Sequence, residues 1–217
     1  MLLFKNVAMA AAQWALLLVI RLALIIIGLP VVAIAIPFAA PGLSASDGRP
    51  IWNLPRLAWL WGNDFDGLDG DKRLWWADNC DALVLFGLLP LLRRLGLPIG
   101  SLPVTSWLAR WWWAALRNPV NNLRLVPGFN CPVGDCQLTH WGRFTVEDKP
   151  GMGGWQFVVA RRNGGTSRWF GLYWVHEWTI SRAFVVRLGY KIKPGHAFKI
   201  GEPAKGLTFK INPVKEI

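Results

Sequence analysis

Residues 8–40, AMAAAQWALLLVIRLALIIIGLPVVAIAIPFAA, hold one charge, Arg21, and almost no other polar group. A soluble fold has little use for so long an apolar run, whereas a spanning helix needs ~20 such residues to cross ~30 Å of hydrocarbon. The run reads as an uncleaved membrane anchor. A cleaved signal peptide would also begin with a basic residue, here Lys5, and an apolar core. This core is too long for one, however, and its small-residue site, Phe38-Ala39-Ala40, comes after Pro37. A helix buried within a protein assembly is the remaining alternative.

A charge at mid-bilayer costs at least ~2.5–3.5 kcal/mol on insertion scales, so Arg21 demands an account. One is a break at that point. Residues 22–40 are then the span, Arg21 snorkels to the headgroups, and residues 4–20 lie in the interface with Trp14 at headgroup depth. The other is a longer tilted helix whose Arg21 faces a protein partner. The insertion cost favours the first. Pro30 and Pro37 each remove a helix hydrogen bond and are expected to kink the span.

Composition matters here for tryptophan and for charge. The chain has fifteen Trp against two Tyr, and Trp is the residue of bilayer interfaces, with an apolar ring and one donor to keep wet. Lys and Arg exceed Asp and Glu by eleven charges, unevenly distributed: eight against seven in residues 1–108, sixteen against six in residues 109–217. A basic half points to anionic lipid or nucleic acid; a solvated lysine face is the plainer reading. Positive residues favour the cytoplasmic side. With Lys5 inside, two crossings leave both ends cytoplasmic and an Asp-rich loop outside; a single crossing leaves the ends on opposite sides, with the basic β domain inside.

Three regions follow from the pattern: an anchor at 1–40, a Trp-rich region at 41–124 and a basic β domain at 125–217. Residues 41–55 read as a Pro/Gly/Ser linker, and 51–62 as a short interfacial helix. Residues 82–100 are a candidate second membrane segment, short enough to be re-entrant instead. Residues 107–124, WLARWWWAALRNPVNNLR, read as an amphipathic helix at the membrane surface. There Trp107, Trp111 and Ala115 share a face flanked by Arg110 and Arg117, aromatics toward lipid and arginines toward phosphates, with Trp111, Trp112 and Trp113 as candidate membrane-contact residues. A core helix packing its Trp on the β domain is the alternative. Beyond residue 125, strands are expected at 142–148, 155–162, 168–178 and 183–193, with a hairpin turn at Asn163-Gly164-Gly165 and an edge hairpin over 199–211. In the fourth strand Phe184, Val186, Leu188, Tyr190 and Ile192 alternate with Val185, Arg187, Gly189, Lys191 and Lys193, one buried face and one basic one. The fold class is therefore α+β: N-terminal transmembrane or interfacial helices, then a small antiparallel sheet or sandwich.

Two clusters carry metal-ligand chemistry on paper. Cys131, Cys136 and His140 have the types and closeness of zinc ligands, with Cys80 or a distant His as the fourth; a Cys131–Cys136 disulfide and unlinked thiols compete with that reading. Asp64, Asp66 and Asp69 in NDFDGLDGD suggest an oxygen-rich calcium loop. The EF-hand template fails there, since Leu68 occupies a ligand place and no Glu closes the loop, and an Asx-turn loop explains the same residues. No serine-hydrolase elbow, Walker loop, His-Glu-x-x-His or Rossmann glycine pattern occurs. The sequence reads as non-enzymatic, and a lipid-directed enzyme would have to gather His140, His176 or Glu177.

An apolar N-terminus, WGNDFDGLDG followed by Trp75-Trp76, the run Arg117-Asn118-Pro119-Val120-Asn121-Asn122-Leu123-Arg124 and the late Arg187-Leu188-Gly189-Tyr190-Lys191-Ile192 together resemble a group of uncharacterised tailed-bacteriophage and prophage proteins. The resemblance covers most of residues 50–193. It implies a membrane-associated or virion-linked structural or host-interaction protein and supplies no catalytic residues. The expected function is binding at an anionic bilayer of the host inner membrane through Arg21, Arg110, Arg117, Arg187, Lys191 and Lys193, with the basic domain cytoplasmic. A second copy, or other phage or membrane proteins, are the expected partners. Nucleic-acid contact during genome passage or packaging is the alternative.

Overall fold

The computed structural model describes residues 2–69, 105–117, 119–204 and 206–217. The expected second membrane segment at 82–100, Trp75, Trp76 and Cys80 lie outside them, and Arg117 is described by its backbone alone. The fold is α+β: a long N-terminal apolar helix, a two-stranded sheet and a five-stranded antiparallel sheet.

Helix α1 runs unbroken from Leu2 to Ala35 and ends in a 3₁₀ turn, Ile36–Phe38. The expected break at Arg21 is absent. Leu, Ile, Val and Ala fill α1 with good or tolerated helix formers, and the charge that would have argued for a break has a protein partner. Arg21 Nη1 donates to the Phe209 carbonyl at 3.0 Å. By contacts the chain divides into two units. Residues 1–21 group with 123–217, and residues 22–122 form the other, so the boundary between the units falls within α1.

In the first unit, strands β3 (Cys136–Gly142), β4 (Gly154–Arg162), β5 (Arg168–Thr179), β6 (Arg182–Tyr190) and β7 (Leu207–Glu216) form a meander in chain order. The first strand of this sheet lies earlier than the pattern suggests and the last one later, and 143–148 is loop. The β4–β5 turn falls at the expected Asn163-Gly164-Gly165, with Gly164 at φ +69°. One face of this sheet carries the start of α1. Ala10 packs among Phe157, Val159 and Phe170, with Trp14, Trp141 and Leu172 alongside.

The helix is also fixed by polar contacts. The Gln13 amide donates to Arg168 O and accepts from Phe170 N, completing a stretch of β5 that β6 does not reach. Trp14 Nε1 donates to Phe170 O at 3.3 Å. Gly189 sits at φ +77°, and a Cβ there would run into Phe170 O and the Trp14 indole. Only glycine combines that backbone conformation with that approach.

In the second unit, β1 (Ala40–Leu43) and β2 (Pro50–Asn53) pair antiparallel where a linker was expected. A 3₁₀ helix, Arg56–Trp61, follows. Helix α2 (Trp107–Trp111), N-capped by Ser106 Oγ, continues as a π-helical stretch, Trp112–Arg117. Three indoles donate to α1 carbonyls: Trp61 to Leu24 at 2.8 Å, Trp111 to Leu29 at 2.8 Å and Trp107 to Ala33 at 3.2 Å. Pro37 has no N–H to offer the Ala33 carbonyl, and the Trp107 indole supplies one. Trp107 and Trp111 are thus stacked, 6.0 Å between ring centroids, with both polar tips on protein.

Candidate functional site

The sheet face opposite α1 carries a polar row laid out by strand register. Gln156 on β4 lies opposite Tyr173 on β5, Tyr173 opposite Arg187 on β6, and Arg187 opposite Lys210 on β7. The β3–β4 loop folds over this row for two reasons. Gln156, buried, donates its amide hydrogens to Arg143 O and Phe144 O at 3.0 and 2.7 Å. Val146 packs into an apolar cluster with Val175, Ala183 and Val185. That packing also explains why the basic face of β6 begins only at Arg187: Ala183 and Val185 on the same side are fully buried.

The loop delivers Asp148 onto the cations of the row. Its carboxylate accepts from the Tyr173 hydroxyl, from Arg187 Nη2 at 2.9 Å and from Lys215 Nζ at 2.9 Å, with Lys210 Nζ at 3.7 Å. The Arg187 guanidinium also lies 4.0 Å from the Tyr173 ring centroid. Burial pushes the Asp148 carboxyl up; Tyr173, Lys215, Arg187 and Lys210 outweigh it and hold it at about 2. Burial and the bond to Asp148 push the Tyr173 hydroxyl well above its ordinary value, so it stays a donor.

Beside this cluster opens a cleft of about 590 Å³, bounded by the 144–149 loop and by residues 190–196. Lys191 and Lys193 flank the buried Ile192 and line it. Lys193 is 76% exposed, with Glu147 Oε1 at 3.8 Å, and Lys149 is bonded to Glu147 at 2.7 Å.

The other candidate residues are placed as follows. Arg110 is committed to Asp69, two parallel bonds of 2.8 Å, and lies over the Trp52 ring. Trp113 is buried and Trp112 half-buried. Asp66 accepts from Arg49 and Asn63, while Asn63 Oδ1 accepts from Phe65 N and Asp66 N in an Asx turn. Asp66 and Asp69 thus each hold an arginine, which neutralises the charge a calcium ion would need. Cys136 and His140 lie on one extended strand, four residues or ~13 Å apart along the backbone, too far to share one zinc at ~2 Å per ligand. Cys131 is buried and unlinked to Cys136, burial pushing its thiol up. Among the described residues no group of three metal-ligand side chains converges. His140 meets Phe144 edge-on, His176 meets Trp178, and Glu177 accepts from Gly151 N and Gly153 N, so each is engaged separately.

Sequence reasoning singled out Arg187, Lys191 and Lys193 and missed Asp148, Tyr173, Lys210 and Lys215. The signal available was the alternation of Thr208, Lys210 and Asn212 with Phe209 and Ile211, which marks a further two-faced strand.

No curated protein and no solved structure matches the chain. One family model does, described as a family of unknown function, DUF7338, over residues 5–217. That match takes in all but the first three residues of α1, both sheets and every residue of the cleft, and the protein belongs to this family.

Proposed function

We propose that the protein is a non-enzymatic, membrane-anchored binding protein, held at the bilayer by α1 and presenting its basic β domain to the cytoplasm. The observation that carries the reading is the surface of α1. Its buried positions are few: Asn6, Ala10 and Leu17 in one unit, Leu24, Gly28, Val32 and Ala35 in the other. Leu16, Val19, Leu22, Ile26, Ile27 and Ile34 remain exposed, between 51% and 69%. Soluble proteins do not leave so many large aliphatic side chains in water on one element; a bilayer accepts them. The helix is long and apolar enough to cross a membrane. On the sheet face that carries α1, Trp155 and Trp174 are exposed as well, as interfacial aromatics are.

The phage or prophage setting implied by the sequence resemblance makes this a structural or host-interaction component. Carbonate extraction with protease protection of the full-length chain tests the proposal. It expects the chain in the pellet and the β domain digested only from the cytoplasmic side. Release into the carbonate supernatant overturns it.

A further inference from the structure

The cleft opposite α1 has the size, charge and wall chemistry of a small-molecule site, since such sites run ~300–1,000 Å³ with apolar walls and a few placed polar groups. Its lining brings Lys149, Arg187, Lys191 and Lys193 against two carboxylates, Glu147 and Asp148. Two further lysines, Lys210 and Lys215, converge on Asp148 from β7. The lining itself sets four cations against two carboxylates, and that surplus of two suits a ligand of two negative charges, the state of a phosphomonoester near neutral pH; a lone carboxylate would neutralise half of it. Arg187 spends Nη2 on Asp148 and Tyr173, and its Nε makes no hydrogen bond among the described residues.

Apolar contact is provided on the same wall. The Phe144 ring is 56% exposed at the cleft, steadied edge-on by His140 at 5.3 Å. Gly195 lies so close that a Cβ there would run into that ring. Lys191 and Lys193 are held in place because Lys191 N donates to Gly206 O at 2.9 Å and the intervening Ile192 is buried.

We propose that this cleft binds a soluble phosphorylated small molecule, its phosphate against Arg187, Lys191 and Lys193 and its aromatic or apolar part against Phe144. The charge and size of the ligand follow from the cleft. Its soluble source rests on the membrane reading of α1, because the cleft opens on the sheet face that α1 does not occupy. In this arrangement Asp148 acts as a built-in anion that partly neutralises the site.

Calorimetric titration of the full-length chain in zwitterionic nanodiscs tests this with adenosine monophosphate, inorganic phosphate and adenosine. The monophosphate is expected to bind saturably and more weakly as salt rises, phosphate to bind less tightly, and adenosine not to bind. The double substitution Lys191→Gln/Lys193→Gln, at exposed positions, is expected to weaken binding about tenfold. Asp148→Asn is expected to tighten it about threefold, which a merely structural role for Asp148 would not do. The proposal is overturned by the absence of saturable binding of either phosphate probe into the millimolar range, by equal affinity in the lysine double variant, or by binding that appears only when phosphatidic acid is placed in the nanodisc. The last result assigns the cleft to a lipid headgroup. Failure of membrane anchoring in carbonate would leave monophosphate binding intact, so the two proposals fail separately.

Discussion

At the scale of single residues, Asp148 makes the β domain sensitive to acid. Its carboxyl titrates at about 2 in the fold against 3.8 ordinarily. A native pKa below the unfolded one means stabilisation that is complete above the unfolded value and lost as pH falls through the native one. The contribution is about 2 kcal/mol, and its loss is expected between pH ~4 and ~2. Unfolding midpoints followed from pH 7 to 2 should fall in that window for the native chain. Asp148→Asn should start lower at pH 7 and show no such step. Gln13 offers a second test. Its amide satisfies both Arg168 O and Phe170 N, so Gln13→Leu strands a donor and an acceptor although it adds a better helix former. The substitution should cost about 1–3 kcal/mol, measured as a lowered thermal midpoint of the β domain.

At the scale of elements, the end of α1 depends on an indole. Trp107→Phe removes the donor on the Ala33 carbonyl and should lower stability by about 1 kcal/mol. Pro37→Ala restores a backbone N–H for the same carbonyl, so Trp107→Phe should be nearly neutral in that background. A double-mutant cycle on thermal midpoints measures the coupling, and additive effects would show that the indole is not replacing the missing amide.

This element also shows what could be read beforehand. The apolar length of α1 was plain in the sequence because composition alone encodes it. Its continuity through Arg21 was not, since the partner is Phe209 O, 188 residues away. The same holds for the strands. The Asn163-Gly164-Gly165 turn is local chemistry and was legible. The first strand of the five-stranded sheet, Cys136–Gly142, was hidden behind cysteine and histidine types that suggested a metal, while its pairing partner, β4, decides its conformation. The cleft was half legible: alternation exposed Arg187, Lys191 and Lys193, but the long connection that brings Lys210 and Lys215 beside Asp148 leaves no local trace.

At the scale of the whole molecule, the account divides labour between an apolar helix and a basic sheet face. The measurement that tests it most directly is aqueous maleimide labelling of single cysteines in reconstituted vesicles, with Cys80 and Cys136 replaced by Ser and the buried Cys131 retained. Ile26→Cys and Ile34→Cys sit at positions 69% and 66% exposed on α1, and Ile200→Cys at one 95% exposed in the β domain. The account predicts fast labelling at 200 from the accessible side, and protection at 26 and 34 that is lifted when detergent replaces lipid. Labelling at 26 and 34 as fast as at 200 in intact vesicles would contradict it.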